Sequence, residues 1–291
     1  MKIHLVDGTY ELFRSYFGAP SKRAPDGREV GATAGLLRSL SLLVSTPGVT
    51  HVACAFDHVV ESFRNDLYAG YKTSAGIAAD LLAQFPLAER AVAALGIVVW
   101  PMVEFEADDA LAAAAARFRD QPGVEQVVIC SPDKDLAQAV SGARVVCWDR
   151  RRGSVLDEEG VALKFGVRPH SIPDWLALVG DAADGYPGVP AWGARSAATV
   201  LSRFAHLEAI PQDPGQLGLP LGRAGHLMES LGAHREEALL YRHLATLRTD
   251  VPLEEGLADL EWRGARAEFG ELCRELGEGA LAERLAGRRG A

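Results

Sequence analysis

No apolar run in this sequence approaches the roughly 18–20 residues needed to cross a bilayer, so no membrane span is expected. The four cysteines, Cys54, Cys130, Cys147 and Cys273, have no C-x-x-C spacing. Three of them sit inside apolar strand-like runs, which favours buried free thiols over zinc ligands or disulfides. The eight histidines show no H-E-x-x-H or other paired spacing and are assigned to surface and core. The first residues, Met1-Lys2-Ile3-His4-Leu5-Val6-Asp7, read as a buried strand reaching an acid, not as a secretory leader. The expected location is the cytoplasm.

What is present is a chain of 291 residues, 48% hydrophobic and 24% charged, long enough for a full core and a second small domain. Its net charge of −9 at first argues against a nucleic-acid partner. The excess is local, however. Without the nine acids named below as one site, the remaining acids equal the 30 Lys and Arg. Basic residues elsewhere are therefore free to meet phosphates.

The chain is organised around Glu106-Ala107-Asp108-Asp109, which follows an apolar run and opens the alanine-rich segment Leu111 to Phe118. Acids in a first helical turn have an ordinary role, because the helix dipole favours them by roughly 0.3–1 kcal/mol each. Their neighbours point further. Strands are expected at Lys2–Val6, His51–Phe56, Gly96–Trp100, Gln126–Cys130 and Arg144–Trp148. Helices are expected at Ala32–Val44, Ala78–Ala94, Ala110–Arg119 and Lys134–Val140. Short continuous apolar runs alternating with helices describe an α/β, doubly wound, mostly parallel sheet, whose sites form beyond the carboxyl ends of its strands. Asp7 ends the first strand, Asp57 the second, Glu106, Asp108 and Asp109 follow the third, and Asp133 and Asp135 follow the fourth. Two carboxylates about 4 Å apart repel by about 4 kcal/mol at an effective dielectric near 20, so such a cluster needs counter-ions. All-oxygen ligation points to Mg²⁺ or Mn²⁺.

After Asp157 the character changes to short helices with glycine turns. A helix over Ile172–Val179 runs into Gly180-Asp181-Ala182-Ala183-Asp184-Gly185, where the i, i+3 spacing lets Asp181 and Asp184 point the same way. Tyr186 to Gly193 then forms a glycine-bounded hairpin before a helix that reaches Phe204. This helix-hairpin-helix pattern offers the segment Ala191-Trp192-Gly193-Ala194-Arg195-Ser196 as a DNA contact. Backbone N–H groups at the helix start would take a phosphate without reading a base.

Together these blocks resemble the structure-specific 5′-nuclease (flap endonuclease) family, which includes the 5′-3′ exonuclease domain of bacterial DNA polymerase I. The matching residues are Val6-Asp7-Gly8 with Arg14, Phe56-Asp57, Phe63-Arg64 with Tyr68 and Tyr71-Lys72, and Glu106-Ala107-Asp108-Asp109. Asp133-Lys134-Asp135-Leu136, Gly180-Asp181 with Asp184, and Pro187-Gly188-Val189 with Gly193 complete the set, in the family's order. No polymerase domain follows, so the likeness is to the stand-alone form. Three departures stand out. Gly185 replaces the family's usual Asn, Ala191-Trp192-Gly193 with Arg195-Ser196 replaces Gly-Ile-Gly with Lys-Thr, and Thr73-Ser74-Ala75-Gly76 leaves the arch less basic.

The resemblance implies a Mg²⁺-dependent 5′-3′ exonuclease and flap endonuclease that hydrolyses DNA with two ions in replication or repair. Asp7, Asp57, Glu106, Asp108 and Asp109 would serve mainly one ion, and Asp133, Asp135, Asp181 and Asp184 the other. Arg14, Lys72 and Asp108 would act at the scissile phosphate, the two cations as electrostatic stabilisers. The hairpin would also bind K⁺ through main-chain carbonyls of Leu178, Val179, Pro187, Val189 and Trp192. The implied partner is DNA with a free 5′ end, a flap or a branched duplex, and no membrane. Tyr10, Phe63, Tyr68 and Tyr71 either stack on unpaired bases or pack in the core. The expected division is a nuclease core with arch over 1–167, a helix-hairpin-helix region over 168–256, and a helical extension over 257–291.

Two patterns are set aside. Val6-Asp7-Gly8-Thr9 lacks a phosphatase nucleophile because position 5 is leucine, and the glycines of 188–193 lack a P-loop lysine because Ala194 stands there. Two rival functions remain at this point. A related acid-edged-sheet ribonuclease explains the strand-end acids but not the hairpin. A DNA-junction binding protein with little catalysis explains the hairpin but not nine retained carboxylates.

Overall fold

Four apolar runs become parallel strands in the order β3-β2-β1-β4: β1 Lys2–Asp7, β2 His51–Asp57, β3 Val98–Met102 and β4 Gln126–Cys130. The computed structural model describes residues 1–286 and separates into two units. These four strands belong to the first, which comprises Met1–Val60, Ser74–Ser131 and the chain from Thr249 on. β1 and β2 are buried almost throughout, as continuous apolar strands under helices should be.

The helices of this unit are α1 Gly8–Gly18, α2 Gly31–Val44, α4 Ala79–Leu82, α5 Phe85–Ala94, α6 Ala107–Phe118, α12 Phe269–Glu275 and α13 Gly279–Ala286. Nine of the twelve α6 residues are buried, six of them alanines, whose small side chains let the helix lie close on the sheet. α6 packs on β1, β2, β3 and β4, while α1 packs on α2.

Three local differences from expectation have physical causes. β3 starts two residues late because Gly96 sits at φ +88°, and it admits Pro101 because it is an edge strand. The long helix expected over Ala78–Ala94 breaks into α4 and α5, with Pro86 in the first turn of α5. At the break the buried Gln84 side chain accepts from the Thr33 N–H and donates to the Asp80 carbonyl. The helix α1 was not expected; Asp7 starts it by accepting from the Tyr10 N–H at 2.8 Å.

The C-terminal segment packs on this core. Trp262 Nε1 donates to the Leu95 carbonyl, and Glu278 is held by Lys22 and Arg38. All four cysteines are free and buried. No helix among the described residues is long and apolar enough to cross a membrane.

The second unit comprises Glu61–Thr73 and Pro132–Arg248. It holds α3 Phe63–Leu67, the antiparallel hairpin β5 Val145–Asp149 with β6 Ser154–Leu156, and then helices only: α7 Glu158–Phe165, α8 Ile172–Val179, α9 Ala194–Phe204, α10 Leu221–Ala233 and α11 Arg235–Ala245. Lys134–Val140, expected as a helix, is a 3₁₀ turn over Asp135–Ala139. The architecture is thus a mostly parallel α/β sheet followed in the chain by an all-helical region.

Candidate metal centre

In the first unit the acids sit where strands end and helices begin. Asp7 closes β1, and Asp57 closes β2 two residues beyond the Asp7 partner Ala55. Each carboxylate is oriented by local donors. Asp7 takes the Tyr10 N–H on one oxygen and the Ser131 hydroxyl, at 2.8 Å, on the other. Asp57 takes the Ala107 N–H at 2.7 Å, which ties β2 to the start of α6. Asp109, fully buried, accepts from the Glu106 N–H at 3.0 Å as in a capping box. Glu106 is buried and Asp108 half-buried. The capping role and a ligand role are compatible, because orienting one carboxylate oxygen leaves the other to bind.

The second unit brings Asp135, Asp181 and Asp184 together, with one oxygen from each within 4.8 Å of the others. Asp133 is exposed and accepts from the Asp135 N–H at 2.9 Å. Asp181 accepts from the Ala183 N–H at 3.0 Å. Two ammonium groups answer this charge. Lys134 pairs with Asp181 and stands 3.9 Å from Asp135, and Lys72 Nζ lies 3.1 Å from Asp184 Oδ1. Burial, followed by the charges of Asp133 and Asp184, pushes the Asp135 carboxyl well above the usual carboxylate range. Burial pulls the Lys134 ammonium down, but Asp135 and the bond to Asp181 outweigh it and hold it above its ordinary value. Asp135 Oδ1 is buried and has no hydrogen-bond partner among the described residues. An oxygen-only donor set with an orphaned carboxylate oxygen fits a hard divalent cation.

Sequence reasoning assigned no role to three residues here. Glu11, almost fully buried, pairs with Arg14, and Ser39 accepts from the same guanidinium at 3.1 Å, so Arg14 is held between α1 and α2. For Lys134 the local signal is a cation set between two acids, Asp133-Lys134-Asp135. Arg64 is 1% exposed and donates to the carbonyls of Leu244 and Thr246, where α11 ends. The aromatic side chains pack inside their unit. Tyr71 is buried, Tyr68 meets Tyr241 edge-on at 5.9 Å, and Phe63 lies under the Arg64 guanidinium at 4.6 Å.

The hairpin after α8 depends on two glycines. Gly180 and Gly188 both have positive φ, and each backbone stands where a β-carbon on the other would go. The Leu178 carbonyl accepts from the Val189 N–H at 3.0 Å. The Trp192 indole is buried and donates to the Leu227 carbonyl, and the buried Ser196 hydroxyl bonds the backbone of Gly193. Trp192 and Ser196 thus brace the start of α9, while Ala191, Ala194 and Arg195 are exposed there.

Two family models match in sequence. The 5′-3′ exonuclease N-terminal resolvase-like domain covers residues 2–166, and the 5′-3′ exonuclease C-terminal SAM fold covers 167–268. The 5′-3′ exonuclease of Aquifex aeolicus is 32% identical over 277 residues, covering 95% of this chain and 91% of that protein. DNA polymerase I of Bacillus caldotenax is 32% identical over 291 residues, and the match takes in 98% of this chain but only 32% of the polymerase. Among solved structures, the T5 D15 protein co-crystallized with metal ions superposes with a TM-score of 0.67 at 16% identity, over 99% of this chain and 98% of that one. The catalytic core of Rad2 in complex with DNA substrate gives 0.62 at 14% identity, over 98% and 92%. At such identities the structures speak for the fold. The two domain models and the relative of matching length speak for more: this chain is a hydrolytic nuclease of the 5′-3′ exonuclease family.

Proposed function

We propose that this nuclease is a Mg²⁺-dependent 5′-3′ exonuclease and flap endonuclease acting on DNA in replication or repair, with two divalent ions. The observation that carries the reading is the carboxylate trio of Asp135, Asp181 and Asp184, converging within 4.8 Å in a chain of this family. Its support from relatives is that the T5 and Rad2 proteins of like fold are described with metal ions and with DNA. One ion would be held by Asp7, Asp57, Glu106, Asp108 and Asp109, the other by Asp133, Asp135, Asp181 and Asp184. When bound, the ions activate water and neutralise charge on the scissile phosphate.

The chain's own residues prepare for this. The backbone N–H groups of Ala107, Asp135 and Ala183 orient Asp57, Asp133 and Asp181 before any ion arrives. Lys134 and Lys72 neutralise the trio meanwhile and would give up that pairing to a bound ion. Lys72 released from Asp184, and Arg14 released from Glu11, would then be available to a phosphate, with Asp108 serving among the ligands. The start of α9 would hold duplex DNA through backbone N–H groups and Arg195 over 191–196, independently of sequence. K⁺ would sit among the carbonyls of Leu178, Val179, Pro187, Val189 and Trp192.

The test is a 5′-flap duplex labelled at its 3′ end and incubated with Mg²⁺, Mn²⁺ or EDTA, beside an RNA flap and a blunt duplex. Metal-dependent cuts near the junction are expected. A ladder from the blunt 5′ end alone would restrict the enzyme to exonuclease action. Cleavage of the RNA flap only would turn the assignment to a ribonuclease, and binding without any cleavage would turn it to a junction-binding protein.

A further inference from the structure

Tyr186 follows Asp184 by two residues, and its backbone pairs with Asp181 through two hydrogen bonds of 2.9 and 3.1 Å. Its ring stacks on Tyr241 with centroids 5.5 Å apart and planes 21° from parallel, and Tyr241 is itself braced by Tyr68. Ring and backbone are therefore fixed. The side chain is 1% exposed, yet its hydroxyl has no hydrogen-bond partner among the described residues. A buried phenol normally finds an acceptor, because leaving the donor unmade forfeits its hydration without return. Residues directly paired across an antiparallel bridge turn their side chains to the same face, so the phenol lies on the side of the Asp181 carboxylate. Asp135 Oδ1 is also buried without a hydrogen-bond partner among the described residues, with the Lys134 ammonium no nearer than 3.9 Å.

A donor and an acceptor left unmade beside one carboxylate trio have a common explanation, which is a polar guest that satisfies both. We propose that Tyr186 is a positioning residue for the cation held by Asp135, Asp181 and Asp184, its hydroxyl donating to the oxygen shell of the bound ion. This rests on the reading of that trio as a divalent-cation site. Gly185 has φ +90°, and the Gly70 carbonyl fills the space its side chain would need.

The experiment compares the wild type, Tyr186→Phe and Asp135→Asn by Mn²⁺ titration, following free Mn²⁺ by electron paramagnetic resonance and unfolding temperature in EDTA and in Mn²⁺. In EDTA, Tyr186→Phe is expected to unfold no earlier than the wild type, because it keeps the ring and removes an unsatisfied donor. Its Mn²⁺ affinity is expected to fall about tenfold, the loss typical of an outer-shell partner, with a smaller Mn²⁺-induced rise in unfolding temperature. Asp135→Asn identifies the part of the Mn²⁺ signal that belongs to the trio. Equal trio affinity in wild type and Tyr186→Phe would leave the phenol a packing residue and overturn the proposal. Early unfolding of Tyr186→Phe in EDTA would show that the hydroxyl is already bonded and overturn it equally. A wild type whose Mn²⁺ binding is untouched by Asp135→Asn would remove the cation site itself, which is a different failure.

Discussion

The carbonyl oxygen of Gly70 occupies the space that a β-carbon on Gly185 would need. Gly185 adds a φ of +90°, and the same contact region carries the Lys72 N–H to Asp184 carbonyl bond of 3.0 Å. The backbone at this point thus requires glycine. Gly185→Ala is expected to cost about 2–4 kcal/mol, from the strained φ and the clash together. Asn tolerates positive φ better than Ala, but its β-carbon meets the same oxygen. Gly185→Asn should therefore also destabilise, and urea midpoints equal to the wild type for both variants would contradict the geometry.

Asp133 and Asp135 supply the cleanest separation of catalysis from binding. Replacing both by Asn removes two charges from the proposed site while keeping shape, and it leaves the start of α9 untouched. Cleavage of a 5′-flap duplex is expected to fall by more than about 100-fold with duplex binding in EDTA largely kept. Undiminished cleavage would remove these carboxylates from the chemistry. Loss of binding in step with cleavage would show that they serve the fold instead.

The acids were legible because an apolar run closed by Asp or Glu is a purely local pattern, and Asp7, Asp57 and Glu106 each sit where a strand gives way. What escaped the sequence was set by distant partners. Glu11 faces Arg14 one helical turn away, but its role appears only when Ser39 of α2 meets it, and the Arg64 role appears only when the end of α11 comes within reach. The α1 helix was hidden because Asp7 both ends the strand and caps the helix. Gln84 breaks a long helical pattern through a bond to Thr33, fifty-one residues away, that periodicity does not encode.

Arg64 provides a test of a motif residue that acts on stability. Its guanidinium caps the carbonyls of Leu244 and Thr246 at 2.7 and 3.2 Å, where the dipole and unpaired carbonyls of α11 attract a cation. Arg64→Met should destabilise by about 2–3 kcal/mol, since the buried Leu244 carbonyl and the part-buried Thr246 carbonyl lose their donor. Arg64→Lys should recover only part of this, because one ammonium does not reproduce the planar fork. A fully stable Arg64→Lys in denaturant titration would show that charge alone suffices.

Glu278 gives the pH-dependent prediction. It is 9% exposed and binds Lys22 and Arg38, with Arg38 Nε at 3.0 Å. Burial raises its pKa, but the bonds from Arg38 and Lys22 outweigh burial and hold the carboxyl below its ordinary value. A carboxyl depressed in the folded state binds its proton more weakly there than in the unfolded chain. Its contribution is therefore complete above the unfolded value near 4.5 and is lost as pH falls through the lower folded value. Glu278→Gln should cost about 1–2 kcal/mol at pH 7, a figure kept small because Arg38 is half exposed. The gap between variant and wild type should close as pH drops below about 4.5. Urea titrations at pH 7, 5 and 3.5 read it directly. A gap independent of pH would mean that Glu278 holds α13 by packing, with its charge contributing nothing.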